Sequence, residues 1–108
     1  MTYNASWLLL IIAGFLEVVF AVGLKSASGL ERPWLLAGTL VVLAASLTLL
    51  TIALRVLPVG TAYAVWTGIG AAGTALVGMY WLGDAVSLWR LIWIGLILLS
   101  VIGLRWLS

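Results

Sequence analysis

Residues 7–25, WLLLIIAGFLEVVFAVGLK, decide the fold of this chain. Up to Lys25 the run is apolar throughout, with the single exception of Glu17. A helix needs about 20 predominantly apolar residues to cross the hydrocarbon core of a bilayer. The stretch therefore predicts a transmembrane helix that carries one carboxyl group in its interior.

The composition of the whole chain fits this prediction. Of its 108 residues, 66% are hydrophobic and 7% are charged, whereas about a quarter of a soluble domain is charged. The chain has no cysteine and no histidine, which excludes disulfides, thiolate nucleophiles, imidazole bases and ordinary zinc or haem ligation. We therefore expect neither an enzyme nor a bound cofactor. The net charge of +2 is small and scattered, and does not indicate nucleic-acid binding.

The positions of the charged residues predict a single all-α domain, residues 1–108, with four transmembrane helices. Arg32 and Arg55 are separated by 22 uncharged residues, and Arg55 and Asp84 by 28. We expect the helices at about 5–24, 34–54, 60–81 and 88–107. The links are short, and Pro33 and Pro58 stand where helices begin, a position that tolerates proline. Consecutive helices should therefore run antiparallel.

The predicted loops give no clear orientation in the membrane. Lys25, Arg32 and Arg90 fall on one side, and Arg55 and Arg105 on the other. An excess of Lys and Arg on one side sets the orientation of a membrane protein. With three such residues on one side and two on the other, the chain could insert in both directions. A chain of this size is also too small to enclose a pathway across the membrane by itself. Both points predict an antiparallel, dual-topology dimer.

Glu17 is the residue that most needs a functional explanation. It lies eight residues before Lys25, about 12 Å along a helix, and a charge at mid-bilayer costs roughly 2.5–3.5 kcal/mol on insertion scales. Intramembrane acids usually mark an ion or substrate path. A carboxyl group that holds either a proton or a cation would couple outward cation movement to inward proton movement. The alternative is a protonated glutamic acid that only hydrogen-bonds a neighbouring helix.

We expect a cavity on the face of the first helix around Glu17. Gly14 leaves room one turn before it, and Phe20 offers an aromatic surface one turn after it. On the second helix, the Ser46 hydroxyl is placed to hydrogen-bond the carboxylate. The alternative for Ser46 is a bond to the carbonyl one turn earlier on its own helix.

The third helix contributes two aromatic residues to this prediction. Tyr63 and Trp66 are three residues apart and share a face. Aromatic rings beside a carboxylate form a cation site by charge and by cation–π attraction. The same pair could instead serve only as an anchor at the membrane interface.

Glycines on the last two helices predict a bend and a contact. GIGAAG, residues 68–73, matches a dinucleotide-binding fingerprint, but no strand precedes it and Asp84 follows only 11 residues later, so we reject that interpretation. Gly68 and Gly70 instead predict a bend near the midplane. Gly95 and Gly103 lie two turns apart on the fourth helix, and predict a dimer contact.

Over nearly its whole length, the sequence resembles the small multidrug resistance family. The resemblance rests on EVVFAVGLK (17–25), SASGLERP (26–33), LPVGTAYAVWTGIGA (57–71) and GLILLSVIGL (95–104). It implies four-helix subunits, antiparallel homodimers and proton-coupled export of small organic cations across the bacterial inner membrane. The resemblance also implies roles for the residues above. Glu17 would be the shared proton and substrate carboxylate, with Ser46 in contact with it and Tyr63 and Trp66 lining the pocket. A kink at Gly68–Gly70 would allow the inward and outward states to exchange, and the fourth helix would supply a dimer contact.

Within the family, WTGIGA (66–71) and AVGLK (21–25) resemble the guanidinium-exporter subtype. Guanidinium is planar, pairs with a carboxylate through two hydrogen bonds and stacks on aromatic rings. One alternative is a broader exporter of quaternary ammonium cations on the same scaffold. Another is a non-transporting membrane subunit or a passive pore whose Glu17 is structural.

One departure from the subtype leads to a prediction. The guanidinium subtype typically has tryptophan where this chain has Phe20, so an indole N–H that could hold the carboxylate is missing. We expect a somewhat looser selectivity, with substituted or more apolar guanidinium compounds accepted. Phe20→Trp should narrow the substrate range, measured as transport by purified protein in liposomes. The same range in the variant and the parent would contradict this idea.

Overall fold

The computed structural model describes residues 2–107, and these form four helices joined by short turns. The helices are α1 (Tyr3–Ala27), α2 (Pro33–Ala53), α3 (Val59–Trp81) and α4 (Leu88–Leu107). Each is long and apolar enough to cross a membrane. The predicted all-α fold with four membrane-spanning helices is therefore confirmed.

The ends of α1 follow from local sequence. The Thr2 hydroxyl accepts a hydrogen bond from the Ala5 N–H at 3.1 Å, and so caps the first turn. At the other end Ser28 takes a left-handed conformation, with φ of 51°, and its N–H donates to the Lys25 carbonyl. Gly29 follows with φ of 68°. Two successive left-handed residues stop the helix and turn the chain back towards α2.

The four helices form a thin layer in the order α2–α1–α3–α4. α1 packs against both α2 and α3, while the backbone of α4 packs against α3 alone. The molecule measures 41 × 35 × 17 Å, and its thickness is less than two helix diameters of about 10–12 Å. A layer this thin leaves most side chains of α4 and one face of the other helices open to their surroundings.

A buried apolar cluster closes one end of this layer. It lies where α1 begins, α2 ends and α3 begins, and its members are Trp7, Leu10, Ala13, Leu50, Ala53, Leu57, Ala62, Val65 and Trp66. At the opposite end Leu24, Trp34 and Trp81 are exposed. We call the first the closed end and the second the open end. The three helices are thus joined most firmly on one side of the membrane midplane.

Glycines set how closely α1 approaches its neighbours. A Cβ on Gly14 would lie 2.7 Å from Cγ2 of Ile69, and one on Gly73 would lie 2.6 Å from Cγ2 of Val18. The glycine is on α1 in the first pair and on α3 in the second. Small residues allow helix backbones to approach in this way, and dispersion contacts are the main source of helix association in lipid.

Gly73→Ala is expected to lower the free energy of unfolding by about 1–3 kcal/mol, because the new methyl group would overlap Val18 and push α1 from α3. The matched control is Gly38→Ala on α2, where a Cβ would have no atom within 4 Å. That variant should be neutral or more stable by about 0.5–1 kcal/mol. Unfolding in mixed detergent micelles, followed by circular dichroism, measures both. Equal effects of the two substitutions would contradict the proposed close contact.

Candidate functional site

The carboxyl group of Glu17 lies between α1 and α3, directly against Gly70. A Cβ on residue 70 would overlap the Glu17 carboxyl group, so only glycine leaves the room that the carboxyl occupies. The Oε2 atom of Glu17 is buried and has no hydrogen-bond partner among the described residues, 2–107. A buried acceptor without a donor is costly. The site therefore holds an oxygen that a proton or a hydrogen-bond donor of a ligand would satisfy.

A chain of hydrogen bonds joins three helices one turn from this carboxyl group. The indole N–H of Trp66 on α3 donates to Oγ of Ser46 on α2 at 3.0 Å. The Ser46 hydroxyl in turn donates to the Ala13 carbonyl on α1 at 2.6 Å. Ala13 lies four residues before Glu17, on the same side of the helix. The chain of bonds thus fixes α2 and α3 relative to the turn that leads into the carboxyl.

The hydrogen-bond partners of Ser46 differ from those that the sequence predicted. Sequence analysis offered the Glu17 carboxylate or a carbonyl of its own helix, whereas the fully buried hydroxyl donates across to Ala13. An indole nitrogen can only donate, so the Ser46 oxygen accepts from Trp66 and its single proton is left for another acceptor. The Ala13 carbonyl takes that proton in this conformation, and a contact between Ser46 and the glutamate stays a prediction.

The two aromatic residues of α3 lie against each other. The ring centroids of Tyr63 and Trp66 are 5.6 Å apart, with an interplanar angle of 51°. Trp66 is buried, and it lies one turn before Gly70 on the same helix, whereas Tyr63 is 57% exposed. The pair therefore extends from the buried site around Gly70 to the open surface of the layer.

The two glycines for which a bend was predicted contact different neighbours. Gly70 accommodates the Glu17 carboxyl, while a Cβ on Gly68 would lie 2.9 Å from Cγ2 of Val101 on α4. The helix α3 runs unbroken from Val59 to Trp81. Both glycines thus have packing roles in this conformation, and a bend at these positions stays a prediction.

The remaining predicted residues differ in their surroundings. Gly14 is buried against Ile69 in the contact between α1 and α3. Phe20 is half-buried, three residues after Glu17. Gly95 and Gly103 lie on an exposed face of α4, where a Cβ would meet no atom within 4 Å. A dimer contact through that face is compatible with its exposure and stays a prediction.

Two contributors to the site were missed by sequence reasoning. Ala13 acts through its backbone carbonyl, and a carbonyl group leaves no mark on the sequence. Gly73 did leave a signal, because it follows Gly70 at a spacing of three and therefore shares its face. It packs against Val18, the residue next to Glu17, and so allows the close approach of α1 and α3 beside the carboxyl.

Comparison with known proteins places this arrangement in one family. The model of the family described as Small Multidrug Resistance protein matches residues 5–97. A protein named guanidinium exporter from Yersinia pseudotuberculosis serotype I is 53% identical over 100 residues, which cover 93% of this chain and 96% of that protein. Another of the same name from Salmonella typhimurium is 50% identical over 100 residues, covering 93% of this chain and 95% of that protein.

The match covers nearly all of α1, the whole of α2 and α3, and α4 as far as residue 97, and it includes Glu17, Ser46, Trp66 and Gly70. Four apolar helices, each long enough to cross a membrane, agree with it. The chain belongs to the small multidrug resistance family and is a multi-pass protein of the bacterial inner membrane.

Proposed function

We propose that the protein exports guanidinium or substituted guanidinium cations across the inner membrane in exchange for protons, with Glu17 holding substrate and proton in turn. The observation that carries this proposal is the buried Oε2 of Glu17, on a helix long and apolar enough to span the membrane, which no group of residues 2–107 hydrogen-bonds. A proton satisfies that oxygen in one state. The N–H groups of a guanidinium ion satisfy it in the other.

The chemistry around the carboxyl suits a planar cation. Guanidinium offers parallel N–H donors that match the two oxygens of a carboxylate, and it stacks on aromatic faces. Trp66 lies one turn from Gly70, and Tyr63 packs against it and is exposed on the open side. Their rings supply cation–π attraction, and Phe20 adds apolar surface after Glu17.

Proton exchange at Glu17 is supported by the small number of acidic residues in the chain. The other two carboxylates, Glu31 and Asp84, lie outside the helices and are exposed. Glu17 is thus the one acid within the spans that can receive a cation. Because one carboxyl holds a proton or a cation and rarely both, loading of the substrate releases a proton, and its departure allows a proton to bind.

The thin layer argues for a second copy. With a thickness of 17 Å, a single chain leaves the site open on one side, and an antiparallel homodimer would cover it. The exposed face of α4 with Gly95 and Gly103 is suited to join the two copies through close backbone contact. A bend at Gly68 and Gly70 would then allow the site to open to either side of the membrane.

Two other functions compete with this proposal. Quaternary ammonium cations would use the same rings and carboxyl without donating hydrogen bonds, which would make a broader exporter. A non-transporting subunit or a passive pore would keep Glu17 for structure alone. The relatives named guanidinium exporters, at 50% and 53% identity, favour guanidinium as the substrate.

Transport currents test the proposal. Purified protein in liposomes at symmetric pH receives either guanidinium or tetraethylammonium, and an internal pH dye records proton movement. We expect guanidinium to evoke proton movement. It should also evoke a current if the number of protons exchanged for each guanidinium ion differs from one. Glu17→Gln should abolish both signals, because an amide neither titrates nor carries charge. The matched control is Glu31→Gln, which neutralises an exposed acid outside the helices and should transport normally.

Each result separates the candidates. Equal transport of tetraethylammonium would favour the broader exporter. Guanidinium flux without proton movement, or flux that persists in Glu17→Gln, would contradict proton exchange at Glu17 and favour a pore. Absence of flux from folded wild-type protein would favour the non-transporting subunit.

Gly70→Ala should lower guanidinium affinity about tenfold, because a methyl group would displace the Glu17 carboxyl and overpacking typically costs about 1–3 kcal/mol. Gly60→Ala on the same helix, where a Cβ meets no atom within 4 Å, should leave affinity unchanged. Isothermal titration calorimetry measures both. Unchanged affinity in Gly70→Ala with slower transport would instead favour the bend as the main role of this glycine.

A further inference from the structure

A second cavity lies on the opposite side of α1 from Glu17. It is a groove of about 480 Å³ between α1, α3 and α4. Its walls include Ile11 and Phe15 of α1, Leu76 of α3, and Leu98 and Ile102 of α4. Phe15 and Glu17 are two residues apart, about 200° around a helix. On α1 the groove therefore lies away from the Glu17 carboxyl, whereas on α3 its lining includes Ile69 and Gly73, which pack beside the proposed substrate site.

The groove has one polar end. Its lining is apolar except for Arg105, which lies near the end of α4 beside Trp7 at the closed end of the layer. From Trp7 to Phe15 the groove extends along α1 by eight residues, about 12 Å. It thus runs from the membrane interface, where arginine side chains are stable, towards the hydrocarbon midplane.

No acidic side chain of residues 2–107 balances the charge of Arg105. Its Nη2 donates to Oδ1 of Asn4 at 3.1 Å, and its guanidinium carbon lies 4.6 Å and 5.0 Å from the ring centroids of Tyr3 and Trp7. All these partners are neutral. The acids outside the helices, Glu31 and Asp84, lie in the turns at the open end.

Trp7 supports the guanidinium with its ring. Its indole N–H is buried and has no hydrogen-bond partner among residues 2–107. Asn4 and the rings hold the guanidinium over Trp7, so its orientation is fixed although its charge stays unpaired. A positive charge therefore borders one end of the groove, and the rest of its lining is apolar.

We infer that this groove binds one anionic phospholipid, with its phosphate at Arg105 and an acyl chain along α1, α3 and α4. Charge complementarity selects this occupant, because a lipid phosphate supplies the anion that no acidic side chain of residues 2–107 supplies at this end. Basic pockets between transmembrane helices bind anionic headgroups in this manner. The chain in the groove would fill the gap between α4 and the α1–α3 pair.

The arrangement of α4 explains why such a lipid would matter. The backbone of α4 packs against α3 alone, and towards α1 it contributes side chains that line the groove. At Gly95 and Gly103 a Cβ would meet no atom within 4 Å. An acyl chain would therefore support the side of α4 that lines the groove and leave room for a second copy at the two glycines.

Lipid binding to the purified full-length protein tests this inference. Native mass spectrometry compares phosphatidylglycerol with phosphatidylcholine of identical acyl chains. We expect wild-type protein to prefer phosphatidylglycerol by about fivefold, the gain typical of one basic residue near an anionic headgroup. Arg105→Gln should abolish that preference. The matched control is Arg55→Gln, an exposed cation at the same membrane side but outside the groove, which should retain it.

A further variant tests the acyl part of the site. Leu98→Trp fills the groove without changing charge, and should weaken binding of both lipids while circular dichroism shows the same helix content. Equal affinity of wild-type protein for the two lipids would overturn the inference. So would a preference retained in Arg105→Gln or lost equally in Arg55→Gln.

A second copy of the chain is the other possible occupant. The sequence has no cysteine, so Phe15→Cys introduces a single thiol at the groove, on α1 and away from the proposed glycine contact of α4. In lipid vesicles we expect this variant to stay largely uncrosslinked under mild oxidation. Rapid formation of a disulfide-linked dimer would place a second copy over the groove and overturn the lipid assignment.

Discussion

The contact between the Glu17 carboxyl and Gly70 is the constraint on which the rest of the structure depends. A carboxyl group in the middle of a membrane span needs room and partners, and here the room comes from a missing Cβ on α3. Its Oε2 has no donor among residues 2–107. The Trp66 indole and the Ser46 hydroxyl, on the two neighbouring helices, are committed to each other and to the Ala13 carbonyl. The hydrogen bonds that join the three helices are thus complete, while this oxygen has no donor.

This division between scaffold and site follows the shape of the molecule. The closed end joins α1, α2 and α3 through a buried cluster that contains Trp66, while α4 lies at the edge of the layer beside α3. The Glu17 carboxyl lies beyond this cluster, between α1 and α3. Glycines at positions 14, 70 and 73 keep the two helices close together beside it. Most side chains of the edge helix α4 are exposed.

Much of the fold could be predicted from the sequence, because each membrane-spanning helix is recognisable from its own stretch of residues. The apolar runs between charged residues placed all four helices, since length and composition suffice to recognise a span. The importance of Glu17 followed from the same reasoning, because an ionisable group in such a run is costly wherever it points. The pairing of Tyr63 with Trp66 followed from their spacing, and the rings do lie in contact. The partners of Ser46 could not be obtained in this way, since they lie on two other helices.

The sequence by itself thus determined the membrane class, the number of spans, and the carboxyl and aromatic groups available for chemistry. These depend on composition and on spacing within one helix, which a linear pattern records. Only the tertiary structure decided that Gly70 faces Glu17, that the Ser46 proton goes to Ala13, and that Arg105 stands at the mouth of an apolar groove. Such facts depend on how each helix is rotated about its axis and how closely it approaches its neighbours. In lipid those choices are set by the fit of small and large side chains between helices, and that fit exists only once the helices are packed.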